Sequence, residues 1–225
     1  MRRVDNPELL DSDDCPGEEV AKSLEDLSSI NRRFGGVSTT RALIQRVAAE
    51  TGKKHLSVLE VAAGFGEVPR LAAEQLAQRE IQLELTLLDI KRSHLLSHQR
   101  SVVADARTLP FPDDAFDLVS CSLFVHHLQP SEVTEFVREG VRVSRHALLM
   151  NDLVRHPLHL VLVYAGFPLM RSSVSRHDGV VSVRRAYVPR EIREMITLAF
   201  PNGSAPRIEI SRHFLFRMGV IAWKV

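Results

Sequence analysis

Residues Ser57 to Pro69 read SVLEVAAGFGEVP, and the order of residue types in this stretch decides how the rest of the chain is read. Ser57-Val58-Leu59-Glu60-Val61 favours a β-strand, Ala62-Ala63-Gly64-Phe65-Gly66 a turn, and the positions from Pro69 through Leu71-Ala72-Ala73 a helix. Glycines at such a turn let backbone approach a ligand closely. The helix start adds unpaired amides and a positive dipole end. Pro69 suits the first helical turn, where its missing N–H costs nothing.

Working outward, the same alternation recurs. Ile81 to Ile90 becomes continuously apolar, as a strand entering a buried parallel sheet does, and ends on Asp89. Helical sequence around Ser93 to Gln99 leads to a short strand, Ser101 to Ala104, closed by Asp105. Phe116 to Ser122 is a fourth strand, Pro130-Ser131-Glu132 opens a helix with Val133, Phe136, Val137 and Val141 on one face, and His146 to Asp152 is a fifth strand. Strand and helix alternating in this way predict an α/β sheet with helices on both faces, whose ligands bind beyond the carboxyl ends of the strands. Before the glycine turn, helices are expected from Val20 and from Ser38 to Glu50. After Asp152 come an apolar stretch, an arginine-rich loop from Arg171 to Arg185, a helix from Pro189 to Leu198 and a closing pair of strands, Ile208 to Ser211 and Phe214 to Trp223.

The chain has 225 residues, enough for one well-buried domain. Its 29 Lys and Arg nearly balance 28 Asp and Glu, so bulk charge makes no case for nucleic acid or an anionic membrane surface, and a small molecule is the expected partner. Two cysteines, Cys15 and Cys121, are too few for a disulfide scaffold and fit a reducing compartment, so a cytoplasmic location is expected. Met1-Arg2-Arg3 runs into acidic rather than apolar sequence, so no targeting segment is expected. The longest apolar run, Leu158 to Met170, is too short to span a bilayer, and no membrane insertion is expected. Asn202-Gly203-Ser204 reads as an ordinary turn. Residues 1–18 are acidic and aperiodic and are expected to form a mobile tail ahead of a single domain, 19–225.

Glu60, Asp89 and Asp105 thus stand at the ends of the first three strands. An acid 23 positions beyond Gly66, at the end of strand two, is placed to accept hydrogen bonds from ribose hydroxyls. In this order the pieces resemble the class I methyltransferases that use S-adenosylmethionine. That family's acid-x-Gly-x-Gly-x-Gly is matched by Glu60-Val61-Ala62-Ala63-Gly64-Phe65-Gly66, with alanine in the first glycine place. Ala104-Asp105-Ala106, Leu109-Pro110-Phe111, Phe116-Asp117-Leu118-Val119 and Val125-His126-His127-Leu128 are similar to its small-molecule members. The loop before strand five, Val143-Ser144-Arg145-His146, lacks the family's usual glycine.

The resemblance implies a Rossmann-like, mostly parallel seven-stranded sheet with helices on both faces and an antiparallel C-terminal strand. It implies S-adenosyl-L-methionine as cofactor and S-adenosyl-L-homocysteine as its product. Glu60 would lie near the methionine amino group, Ala62, Gly64 and Gly66 would form the turn, Asp89 would bind the ribose, Ile90, Asp105 and Ala106 would flank the adenine, and Ser122 would close the site from strand four. It also places lid helices in 19–52, including Asn31-Arg32-Arg33-Phe34, and a substrate-side insertion in 153–188.

The expected reaction is methyl transfer to a small, apolar or aromatic acceptor, with oxygen ranked ahead of carbon and nitrogen. A non-catalytic binding or regulatory relative is the alternative. A nicotinamide oxidoreductase is disfavoured, because Gly66-Glu67-Val68-Pro69 supplies no third glycine. Methyl transfer mainly needs alignment. If a hydroxyl accepts, a neutral imidazole is the natural base, and His126, then His127, are the candidates, against a reading in which the pair merely caps the next helix. His177-Asp178 is a second candidate, although adjacent side chains are not expected to hydrogen-bond as a dyad. No metal is expected: strand four ends Ser120-Cys121-Ser122 without an acid, and the pairs His94/His98 and His156/His159 lack a third ligand. Leu158 to Met170 either walls an acceptor pocket or forms a core or dimer-interface helix, which leaves a homodimer open. Arg171, Arg176, Arg184 and Arg185 are candidates to read an acceptor carboxylate or phosphate.

Overall fold

In the computed structural model, which describes residues 1–11, 16–95, 100–201, 203 and 205–225, seven strands form one sheet. In chain order the elements are α1 (Gly17–Arg33), α2 (Gly36–Thr51), β1 (His55–Val61), α3 (Glu67–Ala77), β2 (Gln82–Asp89), β3 (Ser101–Val103), β4 (Phe116–Ser122), α4 (Pro130–Val143), β5 (Ser144–Leu153), α5 (Pro157–Gly166), α6 (Ser173–Arg185), α7 (Pro189–Leu198), β6 (Arg207–His213) and β7 (Arg217–Trp223). The strands lie in the order β3-β2-β1-β4-β5-β7-β6. The first five are parallel, and β7 pairs antiparallel with both β5 and β6. The expected Rossmann-like sheet is therefore observed.

Apolar periodicity sets the layers. Leu43, Ile44 and Val47 of α2 and Leu76 of α3 pack with Val58, Leu118 and Leu149 on one face. Val133, Phe136 and Val137 of α4 and Ile192 and Ile196 of α7 pack with Leu59, Val119 and Leu148 on the other. Both α4 and α7 begin with proline at a position that needs no N–H, and Glu132 and Glu191 accept the Gln129 and Val188 amides at 2.8 and 3.0 Å. At the amino ends of the strands, buried Asp117 ties β1 to β4. It accepts the Ser57 amide at 2.9 Å, Lys53 Nζ at 2.7 Å and Arg145 Nη1 at 2.8 Å. Burial alone would raise its carboxyl, but these donors hold it well below the usual carboxylate range.

Several expectations need correction. The arginine-rich segment expected as a loop is α6, a helix hidden from periodicity by β-branched Val174, Val180, Val181 and Val183 and by Gly179. Its start is secured by tertiary caps: Asp26 of α1 accepts the Arg171 and Ser172 amides at 2.9 and 3.1 Å, and Glu19 accepts that of Ser173 at 3.0 Å. Of the helix expected near 93–99, only a short turn, Arg92–His94, is described, and residues 96–99 lie outside the described residues. Cys15, Asn202 and Ser204 lie outside them too. The apolar run after β5 is α5 and a following turn, and it is not core: Leu158 is 52% exposed, Val161 59% and Leu169 79%. Among the described residues no helix is long and apolar enough to cross a membrane.

Residues 1–11, expected as the front of a mobile tail, lie against the body of the protein. The Leu9 and Leu10 amides donate to Asp178 at 2.8 and 3.0 Å, and the Arg3 guanidinium lies 4.5 Å from the Tyr187 ring centroid. Composition foretold none of this, because the partners are side chains more than a hundred residues away.

The turn after β1 holds a further surprise. Ala62 has φ +52°, beside Gly64 at +52° and Gly66 at +65°. Alanine therefore occupies a left-handed position that glycine adopts freely, at a cost of about 1 kcal/mol. The conformation persists because the Ala63 amide donates to Leu88 O at 3.0 Å and the Gly66 amide to Ala63 O at 2.8 Å. At Gly66, with φ +65°, a Cβ would be strained and would lie 2.5 Å from Leu87 Cδ1, so that buried side chain would have to shift to admit it.

Three variants check these assignments by denaturant unfolding. Ala62→Gly is expected to be at least as stable as the parent, relief of left-handed strain offsetting the extra unfolded-state entropy of glycine. Gly66→Ala should lose about 2 kcal/mol or more. Asp117→Asn should lose about 2 kcal/mol at pH 7. Because the folded-state pKa of Asp117 is depressed, its contribution is present above pH ~4 and disappears as pH falls through the folded value, so the parent and the variant should converge in acid.

Candidate active site

Parallel register brings the acids together. Val61 pairs with Leu88 and Leu88 with Val102, so β1, β2 and β3 end side by side. The Gly64 amide donates to Asp89 Oδ2 at 2.9 Å, which fastens the glycine turn to the end of β2, and the Ala104 amide donates to Asp89 O at 3.2 Å, which brings Asp105 alongside. The space a Cβ of Gly64 would enter is open. Ile90 is 67% exposed beside this opening, and Ala106 is buried.

Glu60 points to the α2 side and is buried. Burial pushes its carboxyl up to about 7, against the hydrogen bonds of Ser120 and Ser122, and Oε2 has no hydrogen-bond partner. Around it runs a polar network: Ser122 Oγ lies 3.1 Å from Thr40 Oγ1, which accepts Asn151 Nδ2 at 2.9 Å, and Asn151 Nδ2 also reaches Gly36 O at 2.8 Å. An ionisable group with an unmatched oxygen at a strand end fits a cationic ligand group, since an unpaired buried acceptor is otherwise costly. The family's cofactor, with its amino cation, ribose and adenine, is thus compatible with the residues present.

Two cradle acids are more heavily engaged than spacing suggested. Asp89 accepts from the Lys91 amide at 2.9 Å and lies 3.2 Å from His94 Nδ1, so that, against burial, these donors and Gly64 hold its carboxyl below the usual value. His94 also lies over Phe65, with ring centroids 5.6 Å apart. Asp105 is held by Arg107 through its amide at 2.8 Å and Nη2 at 2.7 Å. Arg107 next to Asp105 is a competitor that sequence reading did not weigh.

Contacts from α1 reach the turn directly. Ser28 Oγ and Arg32 Nε of α1 donate to Glu67, the residue after Gly66, at 2.7 and 2.9 Å. Asn31 is buried and accepts from buried Arg217 at 2.9 Å.

On the acceptor side, the turn Val125–His127 follows β4. His126 is 2% exposed, its Nδ1 is 2.6 Å from Asp152 Oδ1, and its Nε2 is 3.3 Å from Glu8 Oε1. Burial alone would lower its pKa, but the charge and hydrogen bond of Asp152, then those of Glu8, raise it to about 9. At neutral pH the ring is charged and has no lone pair to accept a proton. The geometry therefore makes His126 a positioning residue, contrary to its first-ranked place as base. His127 stacks beside it with ring centroids 4.3 Å apart, its Nε2 3.8 Å from Glu8 Oε2. Glu8 and Asp152, which hold the pair, were not singled out for this role, because only the fold brings them together.

The remaining candidates separate clearly. His177 Nδ1 does meet Asp178 Oδ1, at 2.8 Å, contrary to expectation, because the short carboxylate, fixed by the Leu9 and Leu10 amides, lies within reach of the proximal ring nitrogen. His156 and His159 both stack on Phe216 and do not converge on a metal site. Arg171 pairs with Glu25, and Arg185 donates to His127 O at 2.7 Å. Arg176 and Arg184 instead line a cleft of about 290 Å³ with Val4, Phe167, His177 and Val181. This cleft belongs to α6 and the amino-terminal segment rather than to the glycine turn.

Comparison with known proteins points to a methyltransferase domain. Residues 59–147 match the family described as Methyltransferase domain. The chain is 33% identical over 103 residues to the uncharacterized methyltransferase YcgJ of Bacillus subtilis, covering 43% of this chain and 39% of that protein. It is 28% identical over 100 residues to the ubiquinone/menaquinone biosynthesis C-methyltransferase UbiE of Rickettsia massiliae, covering 39% of this chain and 40% of that protein. The match thus spans about two-fifths of the length of these relatives. In fold, the chain is similar to the plantazolicin methyltransferase BpumL in complex with S-adenosylhomocysteine (TM-score 0.65, 12% identity, 96% of this chain and 92% of that one). It is also similar to the magnesium protoporphyrin IX methyltransferase of Synechocystis with the same compound bound (TM-score 0.54, 16% identity, 85% and 84%). Residues 59–147 are thus similar to a methyltransferase domain, and the chain shares its sheet with solved methyltransferase structures.

Proposed function

We propose that this protein transfers a methyl group from S-adenosylmethionine to a small, apolar or aromatic acceptor. The observation that carries the reading is the buried Glu60 carboxylate, with one unpartnered oxygen, beside an open glycine turn flanked by Asp89 and Asp105. Bound there, the cofactor supplies an electrophilic methyl group on a sulfonium. Glu60 holds the amino cation. Asp89 takes the ribose hydroxyls: a carboxylate offers about four acceptor positions, and Lys91, Gly64 and His94 already use three, so His94 swings aside on binding. Exposed Ile90 and buried Ala106 flank the adenine by shape, while Arg107 already takes up part of the acceptor capacity of Asp105.

Catalysis rests on alignment and exclusion of water rather than on a histidine base. With His126 charged and buried, the suitable acceptors are those whose reacting atom is already electron-rich near pH 7, such as a phenol-type hydroxyl. Oxygen remains the first choice of target. Carbon is the second, supported by the C-methyltransferase name of the Rickettsia relative.

Thermal shift with S-adenosylmethionine, S-adenosylhomocysteine and NAD tests the cofactor. Stabilisation by both sulfur compounds and not by NAD is expected, and a response to NAD alone would overturn the reading. If methyl transfer to phenolic and quinone acceptors fails while both sulfur compounds bind, the chain is a binding protein on the same fold. The pH dependence is specific. In the free protein Glu60 titrates near 7, and the bound amino cation needs it ionised. Affinity for S-adenosylhomocysteine should therefore rise with pH, by up to about tenfold per unit, and level off above ~7. Glu60→Gln should remove that dependence and weaken binding about tenfold or more. Since the raised pKa means that the carboxylate destabilises the free protein above its unfolded value, the same variant should gain up to ~3 kcal/mol of stability at pH 8.

A further inference from the structure

The turn after β4 and the amino-terminal segment meet in a cluster that the methyl-transfer reading does not use. Among the described residues, Glu8, His126 and His127 form a group of three whose ligand atoms all lie within 4.8 Å of one another, with the first two buried. We propose that these three side chains bind a divalent cation of the zinc class and that the cation fastens residues 1–11 to the turn carrying the histidines.

The donor chemistry favours it. Two imidazoles and a carboxylate are a recurrent three-residue zinc set that leaves a fourth position to water or another ligand, and the ion takes the place of the proton between His126 Nε2 and Glu8, which binding releases to solvent. The spacing is right as well: with bonds near 2.05 Å, neighbouring ligands of a tetrahedral zinc stand ~3.3 Å apart. His126 Nε2 is 3.3 Å from Glu8 Oε1, and His127 Nε2 is 3.8 Å from Glu8 Oε2. Small side-chain adjustments suffice.

Support behind the ligands points the same way. A metal-bound histidine commonly directs its other ring nitrogen to a carboxylate, which fixes the tautomer and the ring. Asp152 does this for His126 at 2.6 Å and also accepts the His126 amide at 3.1 Å. Ser182 Oγ donates to Glu8 Oε1 at 2.6 Å, which holds the third ligand in place. Two buried carboxylates, Glu8 and Asp152, balance a doubly charged ion, which lowers the cost of desolvating them together. The segment bearing Glu8 is already seated: Arg3 donates to Leu128 O at 3.0 Å and to Arg185 O at 2.8 Å, so a cation would close a contact surface that exists on both sides of it.

The test reads metal binding directly and does not need methyl transfer. The full chain, free of any affinity tag and treated with chelator, is titrated with Co²⁺ and followed by visible absorption, then with Zn²⁺ in competition with a chromophoric chelator. One equivalent is expected, with tetrahedral cobalt bands and submicromolar zinc affinity. Glu8→Gln and His127→Gln should each weaken zinc binding at least tenfold, and Asp152→Asn ten- to a hundredfold. His156→Gln, outside the cluster, should leave it unchanged. Zinc should also slow tryptic cleavage after Arg3. Binding of less than one equivalent would overturn the proposal. So would wild-type affinity in folded Glu8→Gln and His127→Gln, because the first keeps the size of the side chain and the second replaces a half-buried ring, so both proteins remain measurable even if a change at His126 prevents folding.

Discussion

The position of β1 between β2 and β4 constrains everything else in the molecule. All three run parallel, and the helices that flank them pack on opposite faces, α3 with α2 on one and α4 with α7 on the other. Where successive crossovers leave in opposite directions, the loops at the carboxyl ends part and open a crevice. The glycine turn after β1 and the histidine turn after β4 are its two lips. Asp89 reaches the first through the Gly64 amide, and Asp152, one strand beyond β4, reaches the second through His126. The same register that buries the strands therefore places one carboxylate behind each side of the crevice.

The amino-terminal elements complete what the sheet leaves open. α1 bridges to Glu67 at the start of α3 and to the amides that begin α6, so the glycine turn and the segment after β5 are joined through one helix. Residues 1–11 add a second connection, from Arg3 to the carbonyls of the histidine turn and from Leu9 and Leu10 to Asp178. Acidic side chains here act as acceptors for backbone amides and for guanidinium and imidazole groups from other elements. Acidic composition, usually a sign of a solvated tail, is in this chain a supply of caps.

Much of this was legible in the residues. Continuous apolar runs ending on Asp89 and Asp105 specify parallel strands and where they stop, and the valine and phenylalanine spacing of Val133 to Val141 specifies α4, because burial demands those patterns locally. What was not legible depends on tertiary contact. α6 has weak helical propensity and exists because Asp26 and Glu19 cap it from α1. His126 looked like a base because a histidine beyond a strand end is one by default. Its charge comes from Glu8, 118 positions away, and from Asp152. Ala62 could be recognised as the departure from the glycine pattern, but its φ of +52° is a property of the closed turn.

Ala62 and Glu60 belong to one argument. Two residues apart, each holds an unfavourable state that the fold enforces: a left-handed alanine and a carboxylate buried with an oxygen unmatched. Neither improves the stability of the free protein, and a sequence shaped by folding alone would place glycine at the first position and an apolar residue at the second. Their shared location at the end of β1 is what gives the strain meaning. An unmatched acceptor loses its penalty only when a donor arrives, so free energy withheld from folding is returned on binding of a cationic group. The turn that Ala62 strains is also the one that carries Gly64 and its open side, so strain and vacancy lie on the same few residues. Selectivity follows from this pairing. On the proposed reading, a neutral ligand would leave Glu60 unsatisfied, whereas one with an amino cation next to a hydroxyl-bearing ring would satisfy Glu60 and Asp89 together.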